Sequence, residues 1–226
     1  LTGLGVTVAA DASGAAAAAL QGDVVVIVDV IDMSTSIESA LEAGAMAVYG
    51  AAPDGARPPV PVVPENIGRE AADLALREDL EIVLATEPRW ASPARREENA
   101  RRFIAGVRER GAAVARIIPN AGTEISRLSP LENKILVVVS DTGGTAFDAA
   151  FNAGGTVTTA TVVRTPKKKG IEPALTGAGR AVSLAQQQGK NITVVAASAN
   201  SWEDMLAAQF LAQLIQGNLS GALHAP

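Results

Sequence analysis

The stretch Asp23-Val24-Val25-Val26-Ile27-Val28-Asp29-Val30 (DVVVIVDV, residues 23–30) decides the fold class. Its β-branched core at 24–28 has no polar alternation. Such a run predicts a strand buried on both faces, as in a parallel sheet covered by helices. The chain then passes through Met33-Ser34-Thr35-Ser36 into residues 37–43, where Ile37, Ala40 and Leu41 share one helical face. Gly44 stops that helix, and residues 45–49 (AMAVY) read as the next strand. This is a β–loop–α–β unit.

Working outward, KILVVV at 134–139 is a second buried strand. It runs into Ser140-Asp141-Thr142-Gly143-Gly144-Thr145, a helix over 146–152, Gly154-Gly155 and a Thr/Val-rich strand at 156–163. Five prolines between 53 and 64 predict an extended connection. Helices are expected over 67–77, 174–188 and 202–216, and strands over 81–85, 113–118 and 191–197. Residues 93–111 carry so many Arg and Glu that they read as one solvated helix. PKKKG at 166–170 reads as a basic turn.

A shift of 110 positions overlays the two strong units. Residues 24–28 meet 134–138, Asp32-Met33-Ser34-Thr35 meets Thr142-Gly143-Gly144-Thr145, and Ala43-Gly44 meets Ala153-Gly154. The echo fits either an old duplication or the common grammar of strand–helix units. The expected fold is α/β: a mixed or mostly parallel sheet flanked by helices, one unit over 1–226 with related β–loop–α–β halves at 23–118 and 134–216.

Composition narrows the chemistry. The 226 residues include no Cys, and the one His is His224. Disulfides, thiolate metal sites, cysteine nucleophiles, Ser-His-Asp triads and two-His metal sites are therefore not expected. A net charge of −5 with 3% aromatics argues against nucleic-acid binding. The longest apolar run is far short of the roughly 20 residues that span a bilayer. No basic region precedes the first apolar stretch, so no secretory leader is expected. A cytoplasmic protein without nucleic-acid or membrane partners is the base reading.

What remains is oxygen chemistry. In parallel α/β sheets the loops leaving the C-terminal strand ends collect on one edge, where ligands bind. Here those loops open helices, whose free N–H groups attract anions. Ser34, Thr35, Ser36, Thr142, Gly143, Gly144 and Thr145 are the expected substrate-binding positions; the bland alternative for the hydroxyls is helix capping. The Asp141–Thr145 turn resembles a phosphate-holding loop, although it lacks the Gly-Lys-Ser/Thr of a Walker loop. Asp29 beside a buried strand needs pairing, hydrogen bonds or a metal. Asp29, Asp32 and Glu87 are the expected catalytic acids, and Asp29, Asp32, Glu124 and Asp141 the expected ligands of Mg²⁺, which prefers oxygen.

The order of motifs resembles the 2-phosphosulfolactate phosphatase family, the ComB-like proteins. The resemblance rests on residues 28–37 (VDVIDMSTSI) followed by Ala43-Gly44-Ala45, on Thr86-Glu87, on Asn120-Ala121-Gly122-Thr123-Glu124, on Asp141–Thr145, and on ASANSWED at 197–204. It spans roughly residues 23–216. It implies Mg²⁺-dependent hydrolysis of a phosphate ester on a small anionic acid, and it adds Asn120 to the expected substrate-binding positions. A homo-oligomer is expected from the Ala-rich helices and apolar final helix, which suit contacts between copies. Asp32 stands where that family has Arg, Gly143 where it has Asn, and Ala197 where it has Cys. An Arg grips phosphate or carboxylate bidentately, so an active site here needs a replacement cation, with Arg89, Arg127 and Lys167 as candidates. The alternative readings are a non-enzymatic ComB-like subunit that lost the catalytic Arg, and an anion-binding protein.

Overall fold

The computed structural model describes residues 3–219, and His224 lies outside them. Among the described residues eight strands form two four-stranded sheets, and every pairing is parallel. The first sheet has the order β1 (Val6–Ala10), β8 (Ile192–Ala196), β2 (Val24–Val28), β7 (Thr156–Thr159). The second has the order β3 (Ala47–Ala51), β6 (Lys134–Val139), β4 (Glu81–Thr86), β5 (Val114–Pro119). The expected parallel α/β architecture is present, divided into two sheets. Both strands singled out in the sequence are interior: β2 pairs with β7 and β8, and β6 with β3 and β4. Every residue of β2 is buried.

The two halves exchange strands. Helix α2 (Met33–Glu42) leaves β2 in the first sheet and delivers the chain to β3 in the second, beside β6. Helix α7 (Gly143–Asn152) leaves β6 and delivers it to β7 in the first sheet, beside β2. The shift of 110 holds in backbone detail. α2 maps onto α7 end to end. Asp32 and Thr142, at the helix entrances, have φ/ψ of −106/−75° and −104/−71°. Gly44 and Gly154 leave the helices at φ +89° and +82°, where a side chain would be strained.

α2 and α7 are the central helices. Met33 through Ala40 and Gly143 through Ala150 are buried without interruption. A helix enclosed all round must be apolar or must satisfy its polar groups internally. α2 does the second: Ser39 donates to the Thr35 carbonyl at 2.7 Å, and Ser34 to the Ile27 carbonyl at 3.0 Å.

The remaining elements largely follow the sequence. Helices α3 (Pro64–Glu78) and α8 (Glu172–Gln188) end in left-handed residues, Asp79 and Gly189, related by the same shift. Three expectations are corrected. Residues 93–111 are not one helix: α4 (Pro93–Asn99) and α5 (Arg101–Glu109) part at the buried Ala100, which breaks helical geometry at φ −122°. They are not uniformly solvated either, because Phe103, Ile104 and Val107 enter the main core. The strand expected over 156–163 ends at Thr159. At the N-terminal end, β1 and the Ala-rich α1 (Asp11–Leu20) form elements with no amphipathic signature to announce them; α1 packs on α7.

α3 and α5 touch at two glycines. A Cβ on Gly106 would lie 2.1 Å from the Glu65 carbonyl oxygen, and one on Gly68 2.3 Å from that of Phe103. Backbone cannot yield as a flexible side chain can. Gly106→Ala is expected to lower the unfolding free energy by about 3 kcal/mol or more. Gly179→Ala in α8, where a Cβ meets nothing within 4 Å, should raise it by about 0.5–1 kcal/mol. Urea denaturation of the two variants checks both signs.

Candidate functional site

The C-terminal strand ends of both sheets converge, and Asp29 joins them. It follows β2, is 2% exposed, and uses both carboxylate oxygens. Oδ1 accepts from the Asp32 N–H at 2.9 Å; Oδ2 accepts from the Gly143 N–H at 2.7 Å and the Thr142 hydroxyl at 3.0 Å. The loop after β2 is thereby tied to the loop after β6. The approach is so close that a Cβ on Gly143 would stand 2.3 Å from Oδ2. Burial pushes Asp29 up to about 6, opposed by its hydrogen bonds and reinforced by the charges of Asp32 and Asp204.

The expected hydroxyl positions are turned inward. Ser34 accepts from the Asp29 N–H, and Thr35 donates to the Val30 carbonyl. Ser36 donates to the Asn120 side-chain oxygen and accepts from the Gly122 N–H. None acts as a helix cap, since Asp32 and Thr142 hold the cap positions without side-chain cap bonds. Thr145 faces the Ser140 carbonyl at 3.5 Å, and the Gly144 N–H donates to the Ser140 hydroxyl.

The open part of the site is a cleft of about 540 Å³ whose lining includes Asp32, Glu87, Arg89, Trp90, Arg95 and Asp141. Glu87 follows β4 and lies against Asp32. Burial first, then the Asp32 charge and the hydrogen bond between the two carboxyl groups, push it up to about 7. Two carboxylates so placed hold one proton more readily than none. Asn120, at the end of β5, positions the pair: its amide donates to Glu87 Oε1 and to the Asp32 carbonyl, each at 3.0 Å. Arg89 reaches Asp32 at 3.9 Å.

Of the cation candidates, Arg89 is in the cleft. Arg127 pairs with Glu124 at 2.5 Å, and Lys167 binds the Glu42 carbonyl at 3.3 Å. Glu124 does not line the cleft, whereas Asp32 and Asp141 do. Among the described residues no three His, Asp or Glu side chains converge as a metal cage. Mg²⁺ needs less, being held by one or two carboxylates, waters and substrate phosphate. Asp32 and Asp141 suit that role chemically.

Several participants escaped the sequence reading. Arg95 sat within a segment that looked like plain solvated helix, and Trp90 lay just before it. Asp204, in the first turn of α9 (Trp202–Leu219), accepts from the Val30 N–H at 2.9 Å and steadies the Asp29 loop. Glu38 and Asp148 are buried acids at matching positions of α2 and α7, and the 110-residue shift alone could have paired them. Glu38 binds Arg180 and Thr159. Asp148 accepts from the Ala52 and Val63 N–H groups, pinning both ends of the proline-rich connection.

A second cleft of about 370 Å³ occupies the related position in the other half, lined by Asp141, Thr142, Ala197, Ser198 and Asn200 among others. Under the shift, Asp32, Glu87 and Arg89 become Thr142, Ala197 and Ala199. The titratable pair and its cation therefore belong to one half only. Compared with models of known families and with curated proteins, the chain matches none.

The Glu87 proton makes a measurable prediction. Between 4.5, the ordinary value, and about 7, the folded protein holds a proton that the unfolded chain releases. The associated stability is full below the lower value and is lost as pH rises through the upper one. Glu87→Gln, a neutral mimic, is expected to leave Tm unchanged near pH 4.5 and to raise it above the parent at pH 8. A difference that does not grow with pH contradicts the assignment. Asp29→Ala orphans three donors and should lower the unfolding free energy by about 3 kcal/mol at pH 7, read by denaturant titration.

Proposed function

We propose that the protein is a Mg²⁺-dependent phosphoric monoester hydrolase acting on a small phosphorylated acid, similar in chemistry to 2-phosphosulfolactate phosphatases. One observation carries the reading: the Asp32–Glu87 carboxyl pair, with Glu87 raised to about 7 and Arg89 beside it, in a cleft at the C-terminal strand ends. Arg89 supplies the positive charge that Asp32 cannot.

Asp32 and Asp141 would hold the Mg²⁺, which when bound polarises the phosphoryl group and lowers the pKa of water. Arg89 neutralises a phosphate oxygen, and Arg95 meets the acid group of the substrate. Glu87, protonated near neutrality, donates its proton to the bridging oxygen as the P–O bond to the alcohol breaks. The attacking water forms the new P–O bond and returns a proton to the Glu87 carboxylate. Asn120 orients Glu87, and Asp29 shapes the loop without touching substrate.

This arrangement requires the protonated form of Glu87, so turnover of small phosphate esters should fall as pH rises, with a midpoint at or below about 7 once Mg²⁺ on Asp32 offsets the charge that raises Glu87. With Mg²⁺ and a panel of phosphorylated hydroxy acids, Glu87→Gln is expected to lower kcat about 100-fold or more and to flatten that limb. Arg89→Ala should raise KM more than it lowers kcat. Parent-level turnover in Asp32→Ala or in Glu87→Gln, or none by the parent on any ester, overturns the reading.

A further inference from the structure

We infer that the second cleft, whose lining follows β1, β6 and β8, binds a small organic cation bearing a protonated amine. Its volume of about 370 Å³ falls within the range of small-molecule sites. Asp11, Asp141, Thr142, Thr145, Ser198 and Asn200 contribute its polar groups. Pro58 and Pro59 add an apolar wall suited to a short alkyl chain. The inference does not rest on the hydrolase reading of the first cleft.

A buried hydroxyl without a good partner points to a ligand. Thr145 is 5% exposed. Its one contact, the Ser140 carbonyl at 3.5 Å, lies beyond the roughly 2.5–3.0 Å of an O–H···O bond. The 110-residue shift pairs it with Thr35, which is 3% exposed. Thr35 donates to the Val30 carbonyl at 2.9 Å and shares a 3.0 Å bond with the Thr161 hydroxyl. Under the same shift Thr161 becomes Ala51, which has no hydroxyl to offer. One half closes this hydroxyl with protein, and the other leaves it beside a cleft.

Charge selects the class of ligand. The lining holds two carboxylates, Asp11 and Asp141, and no Lys, Arg or His. Asp11 Oδ1 accepts from the Ala199 N–H at 2.9 Å, which fixes the side chain and leaves Oδ2 without a partner. Asp141 has no hydrogen bond or ion pair among the described residues. Carboxylates only accept, so the ligand must donate. The helix openings nearby do not reverse that preference. Asp11 lies in the first turn of α1, Glu203 and Asp204 lie in that of α9, and Asp29 holds the Gly143 N–H of α7. Arg57, beside Pro58, donates to the Asp54 and Ala56 carbonyls. An ammonium group meets the two carboxylates with a positive charge and three donors. Such charge-assisted bonds are about twice as strong as those of a neutral polyol.

Isothermal titration of the full chain at pH 7, without Mg²⁺ or any phosphate ester, tests it with ethanolamine, putrescine and spermidine. At least one of these amines is expected to bind with a Kd of about 1 mM or tighter. Asp11→Asn removes the charge yet keeps an acceptor for the Ala199 N–H and tolerates the left-handed φ of +62° at this position. Asp11→Asn and Thr145→Val should each weaken binding about 5-fold or more. Glu87→Gln, in the first cleft, should leave the affinity within about twofold, because its charge lies outside this lining. Thermal melting gives a second readout. Thr145→Val gives up no good hydrogen bond and should keep Tm at or above the parent, whereas Thr35→Val breaks two and should lower it. Three results overturn the proposal: no amine bound at about 10 mM, a preference for glucose or inositol over every amine, or an affinity indifferent to both Asp11→Asn and Thr145→Val. A fall in Tm for Thr145→Val as large as that for Thr35→Val overturns it as well.

Discussion

Everything at the functional edge depends on one buried carboxylate. Asp29 sits where β2 ends and satisfies three donors, two of them from the loop that follows β6. Without it, the two sheets would present separate edges with orphaned N–H groups at the openings of α2 and α7. The interaction also explains Gly143: the carboxylate approaches so closely that a Cβ is excluded. A charged group beside an all-apolar strand is tolerated because the surrounding backbone replaces the water it lost.

The two halves share a frame and differ in what the frame holds. Both present a strand, a sharp entry into a buried helix and a left-handed exit. Both bury an acid at the same helical position, yet Glu38 meets an arginine and Asp148 meets backbone N–H groups. The related clefts diverge further. One has a carboxyl pair, an amide that orients it and a guanidinium; the other has hydroxyls and small residues at those places. Likeness of backbone therefore says little about likeness of chemistry.

Much of the frame was legible in residues. The unbroken Val/Ile runs announced buried parallel strands, and the 110-residue echo announced related halves. The division into two sheets was not legible, because a β–α–β unit reads the same whether its second strand returns to its own sheet or crosses to another. Ala100 inside a charged run left no mark, since alanine is ordinarily the best helix former. In the site, Asp29 and Asp32 were read as carboxylates beside a buried strand and Asn120 came from motif order, and the structure gathers them with Glu87. Ser34, Thr35 and Ser36 were read as hydroxyls in a loop that opens a helix, a pattern that cannot tell a hydroxyl facing a ligand from one facing its own backbone. Arg89 was a candidate among several until the fold placed it, and Arg95 was hidden by a composition typical of exposed helix.

The exchange of strands has a consequence for how the chain is made. β8 lies between β1 and β2 in the first sheet, yet Thr193 meets Thr7 across 186 positions of sequence. β1 and β2 both leave a ribosome well before β8, so neither has that neighbour until the chain has grown past residue 196. Pairings so distant in sequence are slow to close and leave strand edges exposed meanwhile. The apolar stretch at 24–28 is thus a hazard to the nascent chain until β7 and β8 have been made, and the acids at 23 and 29 that bracket it are its nearest protection meanwhile.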